Sequence, residues 1–289
     1  MKLFGTWTTL ALACFWPAAA FAQLQLLPDK EPQRMFAGAA RPIAMAWRNG
    51  GDQMFAGEIR ARILQASSAT AVLISETPWR RLQVPAGETV LASAALDFPA
   101  VKAETKFLVQ WLEGTNRILG KTEVLVYPTN LLAELKPLAN EEPLGVFDPQ
   151  SRLKPLLKNL NQKFTDLEYN DFETFSGKLA IIGPFQSKTQ MRDGLANQIK
   201  ALAKKGAAIV WLQPPPEPSP RPSPSGWERE KLQPSFYSVP EGTNAVVVVQ
   251  PELVANLADN PQAQLNLVYL CKLALRPSPP ALPDFSPQP

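Results

Sequence analysis

The hydrophobic rhythm of this chain changes once, at Tyr127-Pro128, and no single layer architecture satisfies both sides of the change. Upstream the period is two. In Glu58-Ile59-Arg60-Ala61-Arg62-Ile63 the apolar Ile59, Ala61 and Ile63 share one face while Arg60 and Arg62 point the other way, as on a half-solvated antiparallel sheet. Phe107, Val109 and Trp111 repeat the pattern over residues 106 to 113. Further strands are expected at 42 to 48, 70 to 75, 79 to 84, 88 to 95 and 117 to 127, separated by Asn49-Gly50-Gly51, Pro85-Ala86-Gly87 and Gly114-Thr115-Asn116. About seven short strands with turn signals at this spacing predict a β-sandwich of immunoglobulin-like type over residues 23 to 128.

Downstream the grammar is strand then helix. Leu144-Gly145-Val146-Phe147 ends at Asp148, and Leu153, Leu156, Leu157 and Leu160 follow at helical spacing. Lys178-Leu179-Ala180-Ile181-Ile182-Gly183-Pro184 reads as the next strand. A helix from about Lys188 follows it, with Met191, Leu195, Ile199 and Leu202 on one stripe. Ser187 and Gln190 have capping-box spacing, and Gly206 stands where a helix C-terminus needs a glycine. The apolar runs at 207 to 212 and 245 to 249 predict central parallel strands covered on both faces, and a last helix opens near Asn260-Pro261. Such alternation predicts an open, mainly parallel flavodoxin-like α/β sheet over residues 129 to 276.

Proline punctuates this half. Seven of the eleven residues from 214 to 224 are proline, as are six of the thirteen from 277 to 289. Segments so short of backbone donors do not join sheet or helix interiors, so an extended insertion at 213 to 240 and an extended tail at 277 to 289 are expected.

The first 22 residues carry Lys2, an uncharged apolar stretch and an Ala20-Phe21-Ala22 exit, the layout of a secretory signal cleaved before Gln23. A retained anchor is the alternative. Cleavage leaves 289 − 22 = 267 residues, enough for two cores, with Cys271 as the single cysteine. The mature chain therefore expects no internal disulfide, an exported, periplasmic or extracellular location, and no membrane span. Its 28 basic and 26 acidic residues, without a long basic cluster, give no reason to expect nucleic acid.

Two resemblances follow from particular residues. Ala46-Trp47-Arg48-Asn49-Gly50 and Val124-Leu125-Val126-Tyr127-Pro128 resemble the immunoglobulin-like modules of glycoside hydrolase family 2-like proteins. Gly145-Val146-Phe147-Asp148, Ala180-Ile181-Ile182-Gly183-Pro184 and Gly206-Ala207-Ala208-Ile209-Val210-Trp211 resemble class I glutamine amidotransferase-like domains. That family acts through a cysteine elbow with a downstream histidine and glutamate. This chain has no such elbow and no histidine at all, so the resemblance implies a fold without the activity.

The absence of histidine also removes Ser-His-Asp, Cys-His and imidazole metal chemistry. No catalytic residue, metal or cofactor is accordingly expected. Cys271 lies on the apolar stripe of the last helix and reads as packing. Asp166, Glu168, Asp171 and Glu173 form the densest acidic cluster. They offer a glycosidase-like carboxylate pair or oxygen ligands for a hard cation, beside the plainer reading of a solvated edge strand and loop. Trp47, Trp79 and Trp111 offer a sugar-stacking platform beside the plainer reading of a core.

Ligands of open α/β sheets sit outside the carboxyl ends of the strands. That rule singles out Asp148, then Gly183, Pro184, Gln186 and Ser187, then Gln213 as ligand-binding candidates, with helix capping by Asp148 and Ser187 as the structural alternative. The functional expectation is an exported, non-catalytic binding or accessory protein of the cell envelope, with a carbohydrate or an envelope protein as partner. A carboxylate-dependent glycan hydrolase and a structural assembly component are the alternatives.

Overall fold

The computed structural model describes residues 24–38, 40–170, 172–214, 236–241 and 244–275. The expected signal segment, most of the proline-rich insertion and the tail lie outside the described residues. Eight strands precede Pro128: β1 (Leu24–Leu26), β2 (Gln33–Phe36), β3 (Arg41–Asn49), β4 (Phe55–Ala66), β5 (Ala71–Val84), β6 (Thr89–Leu96), β7 (Thr105–Glu113) and β8 (Arg117–Tyr127). They form a three-stranded sheet of order β1-β3-β6 and a five-stranded sheet of order β2-β8-β7-β4-β5. The pairs β1/β3, β3/β6, β4/β5 and β4/β7 are antiparallel.

The expected alternation is what builds this part. Ile43, Met45 and Trp47 of β3 point inward, as do Ile59, Ala61 and Ile63 of β4 and Phe107, Val109 and Trp111 of β7. Arg60 and Arg62 stay on the outer face of β4 and both bind Glu76, at 3.1 and 2.8 Å. Trp47 meets Trp111 edge to face at 6.0 Å and stacks on Trp79 at 6.2 Å between ring centroids, so aromatic contacts join the two sheets. Asn49 is fully buried at the end of β3, where its Nδ2 donates to the carbonyls of Gln53 and Val84 and its Oδ1 accepts from the Gly51 amide.

Two details depart from the expectation. The strands at 70 to 75 and 79 to 84 are one strand, β5, running through Pro78. A proline is tolerated there because β5 is the sheet edge and Pro78 needs no outward donor. Two register shifts, at Ile59/Arg60 and Ile63/Leu64, absorb the irregularity. Strands β1 and β2 were not anticipated, being three and four residues long and too short to show a period.

The second half contains a 3₁₀ turn at Leu131–Glu134, α1 (Leu135–Leu138), β9 (Leu144–Phe147), α2 (Lys154–Asn159), β10 (Phe164–Asp166), β11 (Leu179–Ile182), α3 (Leu195–Lys204), β12 (Ala208–Leu212), β13 (Phe236–Glu241), β14 (Asn244–Val249) and α4 (Pro261–Leu275). The six strands form one sheet of order β10-β9-β11-β12-β14-β13. All neighbours are parallel except the β13/β14 pair. Alternate residues feed two cores. Leu179 and Ile181 pack with Leu153, Leu157 and the buried face of α4, whereas Ala180 and Ile182 pack with Phe147, Phe185 and α3. Burial on both faces explains why these strands read as unbroken apolar runs.

Compact packing divides the described residues in two. One unit holds those up to Pro32 with Arg41–Leu96 and Phe107–Glu123; the other holds Gln33–Ala40, Asp97–Lys106 and those from Val124 onward. The molecule thus combines a β-sandwich, whose β2 runs parallel to β8 among otherwise mainly antiparallel strands, with a mainly parallel α/β sheet.

Two corrections belong to the α/β unit. Residues 236 to 240, expected within the extended insertion, belong instead to β13, an antiparallel strand at the sheet edge. The helix expected from Lys188 begins at Leu195. Residues Lys188–Gln190 make a single 3₁₀ turn, Met191 is extended, and Gly194 adopts φ +77°, so the helix cannot propagate backward through it. Its other end matches expectation. Gly206 has φ +97°, its amide donates to Ala203 O, and the Ala207 amide donates to Leu202 O, the paired bonds of a Schellman motif.

Candidate ligand-binding site

The chain leaves β9 toward β10 on one side and then places β11 on the other, so connections from the carboxyl ends of β9 and β11 diverge. A crevice at such a reversal follows from the topology. Here the connections after β9, β11 and β14 border a concavity of about 250 Å3. Gln150, Arg152, Gln186, Glu252 and Asn256 supply its polar lining; Pro184, Phe185, Val254 and Leu257 are buried and supply apolar wall. One cation, one carboxylate and three carboxamides around apolar surface can orient a small polar molecule through several hydrogen bonds.

Asp148, the first residue beyond β9, is fully buried. Its Oδ2 accepts from the backbone amides of Leu153 at 2.7 Å and Lys154 at 3.0 Å, satisfying donors at the start of α2. The capping role is therefore real, although it reaches across a loop. Oδ1 has no hydrogen-bond partner among the described residues. A buried acceptor of this kind is costly until a donor meets it.

Gly183 is held by its amide, which donates to Phe147 O at 2.7 Å, and it adopts φ +101°. A Cβ there would lie 2.8 Å from Leu212 O, so both conformation and space require glycine. The next peptide, to Pro184, is cis. Gln190 then ties the connections together: its Oε1 accepts from the Gln186 amide at 2.7 Å and from Gln150 Nε2 at 3.2 Å. The capping box expected between Ser187 and Gln190 does not form, because Gln190 turns to Gln186 and Ser187 Oγ pairs with Thr189 Oγ1 at 2.6 Å. Gln213 follows β12 and donates its amide to Val249 O. Of the six candidates, Pro184 and Gln186 line the concavity. Asp148 and Gly183 stand at the roots of its connections, and Ser187 and Gln213 do not line it.

The acidic cluster is largely committed elsewhere. Lys154, nearly buried, bonds Asp166 Oδ2 at 2.7 Å and also binds Glu168 Oε1. Glu168 Oε1 further accepts the Asp148 amide at 3.0 Å, and Asp166 Oδ1 accepts the Glu168 amide. Burial pulls the Lys154 ammonium toward lower pKa, and its hydrogen bonds and charge pairing with Asp166 and Glu168 outweigh this, leaving it above its ordinary value. The two carboxylates thus neutralise a lysine that anchors α2 to the end of β10. Asp171 lies outside the described residues; Tyr169 is exposed, while Phe172 and Phe175 turn inward. Arg192 lies over the rings of Phe147 and Phe172, at 5.3 and 5.1 Å, and covers the aromatic core beside the end of β9.

The tryptophans form no open platform, since two are interior and Trp79 is half-buried. Trp47 and Trp111 are fully buried, Trp79 stacks on Trp47 at 6.2 Å, and Trp111 Nε1 donates to the buried Thr122 hydroxyl. Cys271 is fully buried within the α/β core, and burial pushes its thiol pKa up, away from reactivity.

Sequence reasoning missed Gln150, Arg152 and the whole segment after β14. The signal is available for the last: residues 245 to 249 read as a parallel strand, and the carboxyl-end rule applied there leads directly to Glu252 and Asn256. Arg152 carried no such signal, since only the loop around Ser151, with φ +51°, turns it to the concavity.

No family model matches the chain, and no curated protein matches it. Among solved structures, the chain is similar over 38% of its length to 32% of the alkylpurine DNA glycosylase AlkC of Pseudomonas fluorescens, with 12% identity and a TM-score of 0.29. It is similar over 37% of its length to 17% of a beta-glucosidase from Listeria innocua, with 14% identity and a TM-score of 0.27. A beta-glucosidase from Kluyveromyces marxianus is matched over 36% of this chain and 14% of that one, again with 14% identity and a TM-score of 0.27. The chain spans a third or less of each of these proteins, and likeness at this level assigns neither substrate nor activity. Among the described residues, no helix is long and apolar enough to cross a membrane, and no three His, Cys, Asp or Glu side chains converge on a point suited to a metal ion.

Proposed function

We propose that this protein is an exported, non-catalytic binding or accessory protein of the cell envelope, with an immunoglobulin-like sandwich beside a flavodoxin-like domain. On this reading the ligand is a small hydroxylated molecule of the carbohydrate class, held at the carboxyl edge of the parallel sheet. The observation that carries the proposal is the concavity after β9, β11 and β14, where Gln150, Arg152, Gln186, Glu252 and Asn256 converge over apolar wall. Carboxamides and charged planar groups are suited to hydroxyls because each bonds two donors or acceptors at once. The parallel strands, numbered within their sheet, follow the order 2-1-3-4-5, which supports the flavodoxin-like assignment and its switch-point site. The complete absence of histidine, with Asp166 and Glu168 bound to Lys154, supports binding over hydrolysis.

A thermal-shift screen of the purified protein against oligosaccharides, nucleotides and simple polyols tests the reading, because a ligand specific to the folded state raises the transition as its concentration passes the dissociation constant. The expected result is a saturable shift with a saccharide that Arg152→Ala and Gln186→Ala both abolish. A saccharide shift indifferent to these substitutions, or no saccharide shift at all, overturns it. So does glycan hydrolysis that Asp148→Asn or Glu168→Gln removes.

A further inference from the structure

The concavity after β9, β11 and β14 is lined by two side chains of opposite charge, Arg152 from the connection after β9 and Glu252 from the connection after β14. Both are exposed, and among the described residues neither side chain forms a hydrogen bond or an ion pair, with the other or with anything else. Elsewhere in this half opposite charges do pair: Lys154 with Asp166 and Glu168, Lys136 with Glu141, and Lys272 with Glu134. Both loops are tethered. Arg152 is bracketed by Asp148, whose carbonyl accepts the Ser151 amide at 3.0 Å and whose Oδ2 accepts the amides of Leu153 and Lys154. Glu252 sits on a 3₁₀ turn, Pro251–Val254, which the Asn266 side chain of α4 ties down by donating to Leu253 O at 2.8 Å. Just beyond Asn256, the Gln264 side chain donates to Leu257 O, also at 2.8 Å. Held loops therefore present an unpaired cation and an unpaired anion to the same space.

Charge decides what such a space takes. A neutral sugar strips water from Arg152 and Glu252 and leaves both charges uncompensated. An acidic sugar satisfies Arg152 but brings its own charge toward Glu252, and a simple amino sugar does the reverse. A ligand with one carboxylate and one ammonium gives each wall charge an opposite. Resting on the saccharide reading above, we propose that the ligand is a zwitterionic sugar, an amino sugar that also carries a carboxylate. Its carboxylate faces Arg152, whose planar fork donates two parallel hydrogen bonds, and its ammonium faces Glu252. Gln150, Gln186 and Asn256 serve the hydroxyls. The volume of about 250 Å3 lies below the roughly 300 to 1,000 Å3 usual for small-molecule sites, so a single sugar ring is the size that fits.

Isothermal titration calorimetry on the purified protein tests this with monosaccharides that differ in charge: glucose, glucuronic acid, glucosamine and muramic acid, the last carrying both a carboxylate and a free amine. Muramic acid is expected to bind more tightly than either singly charged sugar, by about threefold to tenfold. Arg152→Gln is expected to bring muramic acid down to the affinity of glucosamine without weakening glucosamine. Glu252→Gln is expected to bring it down to that of glucuronic acid without weakening glucuronic acid. Misfolding does not produce such a crossed pattern, because it weakens every ligand alike. Muramic acid bound no better than glucose or a singly charged sugar, or losses in the two variants that ignore the charge of the ligand, overturn the zwitterion and leave the saccharide reading standing. Binding of none of these sugars also overturns it, and the oligosaccharide screen above then decides the saccharide reading separately.

Discussion

The sandwich and the α/β unit place their buried polar groups differently. In the sandwich, Asn49 and Thr122 serve single local purposes, closing a turn and satisfying the Trp111 indole. The rest of that interior is aromatic and aliphatic. In the α/β unit, Asp148, Lys154, Asp166 and Glu168 form one connected network at the ends of β9 and β10, and Gln190 links two neighbouring connections. The sandwich therefore depends on aromatic packing, whereas the α/β unit commits polar side chains to holding loops in place. A concavity with oriented carboxamides occurs in the second arrangement because loops without such ties do not hold side chains in fixed positions.

The comparison breaks most easily at Trp111. Trp111→Ala removes a fully buried indole from the contact between sheets and is expected to cost about 3 to 5 kcal/mol in denaturant unfolding. A loss near that of a surface substitution contradicts the primacy of aromatic packing there. Gly183→Ala comes next. Forcing φ +101° on a residue with a side chain against Leu212 O is expected to cost about 2 to 3 kcal/mol, and to weaken any ligand of the concavity.

Lys154→Met leaves Asp166 and Glu168 without their cation and is expected to cost about 1 to 3 kcal/mol, discounted because both carboxylates keep partial contact with water. The same lysine sets a pH dependence. A raised lysine pKa means the folded state holds the proton more tightly, so its contribution is complete below 10.5 and is lost as pH rises through the folded value. Tyr127 acts in the same direction from 10.0 upward, since burial first, and then its hydrogen bond to Glu104, favours the neutral phenol. Alkaline unfolding followed by circular dichroism is expected to be steeper in the wild type than in Lys154→Met. The smallest effect is expected from Gln190→Ala, about 1 kcal/mol for two partly exposed hydrogen bonds, with ligand affinity falling more than stability. Equal loss of both would make Gln190 a simple brace.

Much of this architecture was legible because periodicity survives without neighbours. Ile59, Ala61 and Ile63 announced their buried face, the run at 245 to 249 announced coverage on both sides, and Gly206 announced the end of α3. Illegible parts depended on partners distant in sequence. Lys188–Gln190 had helical composition and a cap-like serine, yet Gln190 bonds Gln150 and Gln186, and Gly194 restarts the helix. β13 looked like more insertion until β14 offered it an edge. For the candidate site, Pro184 and Gln186 were found by the carboxyl-end rule, while Arg152 and Asn256 were placed by loop conformations that no spacing encodes.

By itself the sequence determined two kinds of layer, a boundary between two rhythms, a chain without imidazole chemistry and a cysteine destined for the interior. Those properties depend on which residues are present and at what period, and burial of apolar surface acts on them wherever the chain goes. Only the tertiary structure decided which strand became the open edge, which acids were spent on Lys154 and which polar side chains met at one concavity. These depend on distances between segments remote in sequence, and hydrogen bonds and ion pairs lose their strength within a few tenths of an ångström.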